Sequence, residues 1–348
     1  MGRQFGSLRG VAILLVVLNH TITFSWNAIQ EMGYGPVVVW QNTILVILHH
    51  LGFFAVPMFM FISGSFIAYA ASGKTDRLLW RTVYASVRRL LGPYLIWTLM
   101  FYLYLYLARG ESHEPLWYGK SVIVGYPHHF VPILLFYYVI TPLLVPLAKR
   151  FGYPMLGLIL LYQLFLSDYK LHDLLRLTYP AWTHILVPPV IAETFAQWGI
   201  YFPLGLVFTL RAKEVAPWLQ KVSWGALLVT VVLFVGTAVP NDQIFYFHFA
   251  PRLAPLFFIL LIPLIKRQAI PWVRHLEEVG KHSYGLYLMN LIILDALILG
   301  IVEVAPGLLR LPLLEVIPVF ALTVGLSMGV MYLVLRFLPP SAYRLIFG

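Results

Sequence analysis

Two ionisable residues lie within the first apolar segment of the chain, RGVAILLVVLNH, which runs from Arg9 to His20. Helical residues advance by about 100° each, so eleven steps bring His20 back to within roughly 20° of Arg9, about 16 Å further along the axis. Both side chains are therefore predicted on one stripe of a helix. An ionisable side chain that faces lipid is costly, so we expect the stripe to face the protein interior or a water-filled cavity.

The two side chains suit different parts of a group transfer. A neutral imidazole buried in a membrane can accept a proton from an alcohol, so His20 is a candidate general base. The guanidinium of Arg9 stays charged and offers several donors that fit a phosphate, a thioester carbonyl or a carboxylate. The structural alternative is that Arg9 extends to the membrane interface and His20 makes a packing hydrogen bond.

The composition of the chain indicates a membrane protein. Of its 348 residues, 60% are hydrophobic and 11% are charged, whereas soluble domains carry about 25% charged residues. The apolar runs have the length of spanning helices, and segments of alternating polarity are absent. We therefore predict an all-α, polytopic fold that forms a single membrane domain over residues 1–348, with no separate soluble domain.

The chain is predicted to form about ten transmembrane helices. When the N-terminus is placed in the cytoplasm, all but six of the 24 lysines and arginines fall on the inner side, as the positive-inside rule requires, and both termini are cytoplasmic. The outer six are Arg109, Lys120, Lys170, Arg176, Arg252 and Arg310. The predicted spans lie near residues 8–27, 50–72, 90–108, 129–148, 152–168, 191–210, 222–240, 245–265, 283–303 and 314–337.

The net charge of +10 is explained by these inner loops, and no nucleic-acid partner is expected. The chain contains no cysteine, which excludes disulfides and a thiol nucleophile. The histidine pairs at residues 49–50 and 128–129 are adjacent in sequence and diverge on a helix, so we expect no metal site.

Further polar residues fall inside apolar segments. Ser283, Tyr287 and Asn290 stand at i, i+4 and i+7 and so share one helix face. Glu193 follows two prolines at a predicted helix start, and Asp295 lies within an apolar run. Carboxylates in such positions are candidates for function, although each can also stabilise a helix end or form an ion pair.

The segment RGVAILLVVLNH resembles the opening motif of the acyltransferase-3 family, polytopic membrane proteins that move acyl groups, often acetyl, onto sugars and other cell-envelope acceptors. The run FFAVPMFMFISGSFIAYA is similar to the family's second motif, which ends in Ser-Gly-Phe, but here Ser65 separates Gly64 from Phe66. The segment RRLLGPYLIW, from Arg88, resembles the family's basic segment followed by Pro-Tyr.

Two later segments extend the resemblance. HHFVPILLFY is similar to the family's His-Leu-Trp-Phe-Leu region, with His129 in register and Val131 where an aromatic residue is usual. SYGLYLMN resembles the pattern Ser-Tyr-x-x-Tyr-Leu-x-His, with Asn290 in place of the final histidine.

The resemblance implies a membrane O-acyltransferase in a bacterial cytoplasmic membrane. It would take an acyl group, with acetyl expected, from cytoplasmic acyl-CoA to a hydroxyl of a sugar-containing envelope acceptor. His20 would be the general base, and Arg9 would position the donor. The expected donor-binding residues are Arg81, Arg88, Arg89, Ser63 and Gly64, with Lys74 and Arg77 in the same basic inner mouth. The expected acceptor-binding residues are His129, Glu193, Tyr287 and Asn290.

Other interpretations remain open from the residues alone. The basic residues can simply set topology, and Ser63 and Gly64 can permit close helix packing. A transporter or flippase of a glycan or lipid intermediate is the alternative function, since polar residues along a pore would serve it too. A structural subunit of a synthesis complex is a third.

Overall fold

The computed structural model describes residues 4–71, 76–171, 177–238 and 250–348, and helices dominate them. Lys74 and the side chain of Arg77 lie outside the described residues. The helices are α1 (Phe5–Glu31), α2 (Val39–Leu51), α3 (Ala55–Ala71), α4 (Asp76–Arg109), α5 (Pro115–Val124), α6 (Phe130–Leu171), α7 (Ala192–Trp198), α8 (Tyr201–Leu210), α9 (Ala212–Ala238), α10 (Ala250–Leu261), α11 (Val273–Lys281), α12 (Ser283–Val304), α13 (Pro312–Phe337) and α14 (Pro340–Phe347). The predicted all-α class is confirmed.

Within the described ranges, seven helical segments are long and apolar enough to cross a membrane. They are Phe5–Glu31, Val39–Ala71, Trp80–Arg109, Phe130–Lys170, Ala212–Thr237, Ser283–Val304 and Pro312–Phe337. Shorter apolar helices lie at Tyr201–Leu210 and Ala250–Leu264. The chain is thus a polytopic integral membrane protein, while ten crossings and the side of each terminus stay predictions.

Helix α6 folds back on itself at Phe151, whose backbone is non-helical (φ −125°, ψ 34°). The Tyr137 hydroxyl donates to the Gly199 carbonyl, and the Gln163 side-chain oxygen accepts from the Ile200 amide at 2.7 Å. A straight helix would separate residues 137 and 163 by about 39 Å, too far for both to reach neighbouring residues. The two limbs of α6 therefore correspond to the predicted spans 129–148 and 152–168.

Helix α1 occupies the centre of the bundle, where it packs against α2, α3, α11, α12 and α13. Its approach to α11 depends on glycine. A Cβ added at Gly10 would lie 2.0 Å from the carbonyl oxygen of Leu276, and one added at Gly280 would lie 2.0 Å from that of Gly6. The two helices thus touch through their backbones, as small residues allow in membrane bundles. This contact fixes the helix that carries Arg9.

Helices α3 and α8 approach each other in the same way. A Cβ at Gly64 would lie 2.0 Å from the carbonyl oxygen of Phe202, and one at Gly205 would lie 1.9 Å from that of Phe61. Ser65 adds a hydrogen bond to the Gly205 carbonyl at 3.2 Å. This packing gives Gly64 a structural role.

Asp295 has a partner on α4. Arg109 donates through Nε at 3.0 Å and through Nη2 at 2.5 Å, and the Tyr104 hydroxyl donates at 2.8 Å. The carboxylate is buried. Paired and hydrogen-bonded, it meets the condition under which a charge is tolerated inside a bundle, and it ties α4 to α12.

We expect Gly64→Ala to lower the stability of the folded protein by about 1–3 kcal/mol, because its Cβ meets backbone that cannot yield without moving α8. Gly225→Ala is the matched control, since a Cβ at Gly225 meets no atom within 4 Å. Thermal melting in detergent measures both. Equal melting temperatures for the two variants would contradict the close α3–α8 contact.

Candidate active site

Helix α12 supplies a partner to each end of the Arg9–His20 stripe. Arg9 Nη2 donates to the Ser283 hydroxyl oxygen at 3.0 Å. His20 Nδ1 lies 2.7 Å from the side-chain oxygen of Asn290. The later residue of α1 thus pairs with the later residue of α12, so the two helices run in the same direction. The predicted stripe and the predicted polar face of α12 meet each other.

The contacts of Asn290 determine which nitrogen of His20 carries a proton. Asn290 Nδ2 lies 3.2 Å from the Leu286 carbonyl oxygen and 2.5 Å from that of Tyr287. Because carbonyls only accept, the amide nitrogen must face them, and Oδ1 must face His20. The oxygen accepts, so His20 Nδ1 donates. In the neutral imidazole this leaves Nε2 with a free lone pair, which is the form that a general base requires.

His20 opens into a cavity of about 260 Å³, which we call the outer cavity. Seven helices contribute to its lining, namely α1, α3, α6, α7, α8, α10 and α12, together with the turns beside them. The lining residues include His20, Val56, His129, Phe130, Gln197, Trp198, Tyr201, Arg252 and Tyr287. Aromatic faces, an amide and cationic or imidazole groups therefore surround the candidate base.

Arg9 opens into a second cavity of about 320 Å³, which we call the inner cavity. The lining residues used below are Arg9, Ser63, Arg89, Phe130, Tyr138, Lys281, Ser283 and Tyr287. Lys281 donates to Glu278 at 2.7 Å, and this bond raises the pKa of Lys281 and lowers the pKa of Glu278. Three cationic side chains, Arg9, Arg89 and Lys281, thus face one space, which suits a polyanionic ligand.

The structure separates the predicted donor-binding residues into two groups. Arg89 and Ser63 line the inner cavity. Arg81 and Arg88 are exposed on α4 and are not among its lining residues. Gly64 faces α8 instead of the cavity, so close helix packing explains this residue and we leave it out of the donor site proposed below.

The predicted acceptor-binding residues are likewise only partly together. His129 and Tyr287 line the outer cavity beside His20. Asn290 is not among the lining residues, and it contacts His20 instead. Glu193 is exposed near the start of α7 and lies outside the lining, although its charge acts on His129.

Several cavity residues were missed by sequence reasoning. They are Tyr138 and Lys281 in the inner cavity, and Gln197, Trp198 and Tyr201 in the outer one. Lys281 had a usable signal, because it stands two residues before Ser283 at the start of a polar helix face. The others come from segments whose proximity to α1 only the tertiary fold establishes.

His128, the neighbour of His129, has a structural position. It is buried, its Nε2 donates to the Leu288 carbonyl at 3.1 Å, and its Nδ1 lies 3.2 Å from the Thr98 hydroxyl. The ring therefore joins the segment before α6 to α12 and α4, immediately next to His129.

Residues 4–333 match the model of the acyltransferase-3 family, described as an acyltransferase domain. The match covers nearly the whole chain and confirms the resemblance seen in the motifs. Comparisons with curated proteins and with solved structures give no match.

We expect Asn290→Leu to lower the rate of acyl transfer by about 10–100-fold, because it removes the acceptor that holds His20 Nδ1–H, as loss of such orienting partners does elsewhere. Asn290→His should retain more activity than Asn290→Leu, since a neutral imidazole can also accept from Nδ1–H. Initial rates at matched amounts of folded protein measure this. Equal rates for the two variants would contradict an orienting role.

Proposed function

The chain belongs to the acyltransferase-3 family, and from this premise we propose that it is a membrane O-acyltransferase whose donor is acyl-CoA, with acetyl as the expected group. The proposed acceptor is a hydroxyl of a sugar-containing component of the cell envelope. The proposed location is a bacterial cytoplasmic membrane, with the inner cavity toward the cytoplasm.

One observation carries the proposal above all others. His20 donates through Nδ1 to Asn290, so its Nε2 is the free acceptor, and the same side chain lines a cavity large enough for a small substrate group. A packing histidine in the alternative interpretation has no need for an open space beside its free nitrogen. The arrangement therefore supports a base that acts on a bound hydroxyl.

The proposed reaction is direct transfer. The acceptor oxygen attacks the thioester carbonyl carbon while His20 Nε2 takes the hydroxyl proton. The carbon–sulfur bond then breaks, the new ester remains on the acceptor, and the proton passes from the imidazolium to the coenzyme A thiolate. The chain contains no cysteine, so an acyl-enzyme thioester cannot form, and direct transfer does not require one.

The charges of the inner cavity support coenzyme A as the donor. Its phosphates are bound best by cationic side chains. Arg89 and Lys281 are exposed, whereas Arg9 is half-buried, and all three line this cavity. Arg9 keeps a donor toward Ser283, and its remaining N–H groups are available to orient the thioester end.

The outer cavity supports a sugar-like acceptor. Trp198 and Tyr201 offer flat apolar faces with polar edges, and Gln197 and His129 offer hydrogen-bonding groups. A ring that carries hydroxyl groups needs both kinds of contact. In this proposal His129 and Tyr287 bind the acceptor, and Glu193 acts on it only through His129.

We expect His20→Ala to lower transfer of label from acetyl-CoA to an envelope extract by about 10²–10⁴-fold, because the general base is lost. Arg9→Ala should also lower this transfer, because the side chain that orients the acyl-CoA thioester is lost. His184→Ala is the control, since His184 is exposed and bonds within its own turn. Wild-type-like transfer by folded His20→Ala would overturn the proposed chemistry. Movement of a glycan across vesicles without consumption of acetyl-CoA would favour the transporter alternative.

We expect Arg89→Ala to raise the KM for acyl-CoA about three- to tenfold with little change in kcat, because a surface cation contributes to binding and not to the reacting atoms. Added salt should raise the KM of the wild type more than that of the variant. Arg310→Ala is the control, since Arg310 lies over the ring of Tyr34. An unchanged KM for Arg89→Ala would contradict binding of the coenzyme A phosphates by Arg89.

A further inference from the structure

The outer and inner cavities meet at two aromatic side chains. Phe130 and Tyr287 line both cavities. Their ring centroids lie 4.4 Å apart with the planes at 65°, and both side chains are buried. The two rings thus form a shared wall between the space at Arg9 and the space at His20.

The position of this wall along the α12 axis follows from the spacing of residues on that helix. Tyr287 stands one turn beyond Ser283, which holds Arg9, and just under one turn before Asn290, which holds His20. By helix rise the distances are about 6 Å and about 4.5 Å. Along α12, the two rings therefore lie between the Arg9 end of the stripe and the His20 end.

Each ring packs against a further ring, and for Tyr287 this is the His128 imidazole, with centroids 5.4 Å apart and planes at 59°. Phe59 stacks on Phe130, with centroids 6.1 Å apart and planes at 10°. The His128 bond to the Leu288 carbonyl joins the backbone two residues before Phe130 to the residue that follows Tyr287. Because the backbones on the two sides are tied together, rotation of the side chains is the simplest movement that opens a passage between them.

We propose that Phe130 and Tyr287 form a gate, the ring gate, that separates the acyl donor from the acceptor and determines which acyl groups reach His20. The proposal rests on the function proposed above and deepens it. The closed gate keeps water of the outer cavity from the thioester, and a narrow opening admits short acyl chains in preference to long ones. Phe130 is then the residue that determines specificity, since truncating it removes half of the wall.

The separation can be tested without any assay of activity, because the chain contains no cysteine. Ser63→Cys places one thiol on the inner side of the gate. In oriented vesicles, a small charged methanethiosulfonate reagent should label this thiol from one side of the membrane only. With Phe130→Ala added, labelling should occur from both sides.

Phe136→Ala is the matched control, because it makes the same substitution on α6 at a residue that is not among those lining either cavity. It should keep one-sided labelling. Labelling from both sides without Phe130→Ala would overturn the gate, and so would one-sided labelling with it. Val56→Cys, in the outer cavity, should be labelled from the opposite side and reports that the protein remains folded and oriented.

Specificity is measured with acyl-CoA substrates of increasing chain length. Phe130→Ala should raise acceptor-free release of coenzyme A from acetyl-CoA by about tenfold, because water reaches the thioester. It should also raise the rate of transfer from octanoyl-CoA relative to that from acetyl-CoA. Phe136→Ala should change neither the acceptor-free release of coenzyme A nor this ratio of transfer rates. Equal values for the two variants would overturn the role in specificity. Failure of the proposed function is distinguishable, because the wild type would then release no coenzyme A with acceptor present, whatever the labelling shows.

Discussion

The cost of placing ionisable side chains inside a bilayer is the constraint on which this structure depends. Arg9 and His20 cannot face lipid, so each needs a partner within the bundle. Helix α12 supplies both partners through Ser283 and Asn290. Their spacing requires α1 and α12 to run side by side in the same direction. The remaining helices surround this pair, and the cavities open along it.

Close packing and open space are both needed around α1. Glycine pairs bring α11 against α1 and α8 against α3 until backbones touch, which fixes the helices that carry Arg9 and Ser63. Beside His20 and Arg9, two cavities of about 260 and 320 Å³ remain open. The bundle is therefore tight where helices must be held in position and open where the ionisable groups point. This arrangement gives rigid support to a site that substrates can enter.

In the proposed reaction, two substrates from opposite sides of a membrane meet while water and solutes of the two sides stay separate. The division of the polar stripe into an inner space at Arg9 and an outer space at His20 meets this requirement in the proposed reaction. The ring pair stands between them, close to the depth of the base. Catalysis by His20 of α1 and separation of the substrates by the ring pair of α6 and α12 would then take place side by side.

Several features were predictable because they are local. The period of the helix placed Arg9 and His20 on one stripe, and the same period placed Ser283, Tyr287 and Asn290 on one face. Hydropathy predicted an all-α membrane fold. Even the reversal within α6 was expected, since two apolar runs flank the basic residues near Phe151. Each of these inferences uses residues that are close in sequence.

The sequence by itself therefore determined the helices and the side-chain types that each helix presents on each face. Only the tertiary structure decided which faces meet. His20 and Asn290 are 270 positions apart, and no periodicity relates them. Asn290 stands where the family motif has histidine, and its side-chain oxygen accepts the hydrogen bond that fixes the tautomer of His20. Gly64 was assigned to donor binding by its motif, but packing against α8 accounts for it, because a backbone approach between distant helices is invisible in either segment alone.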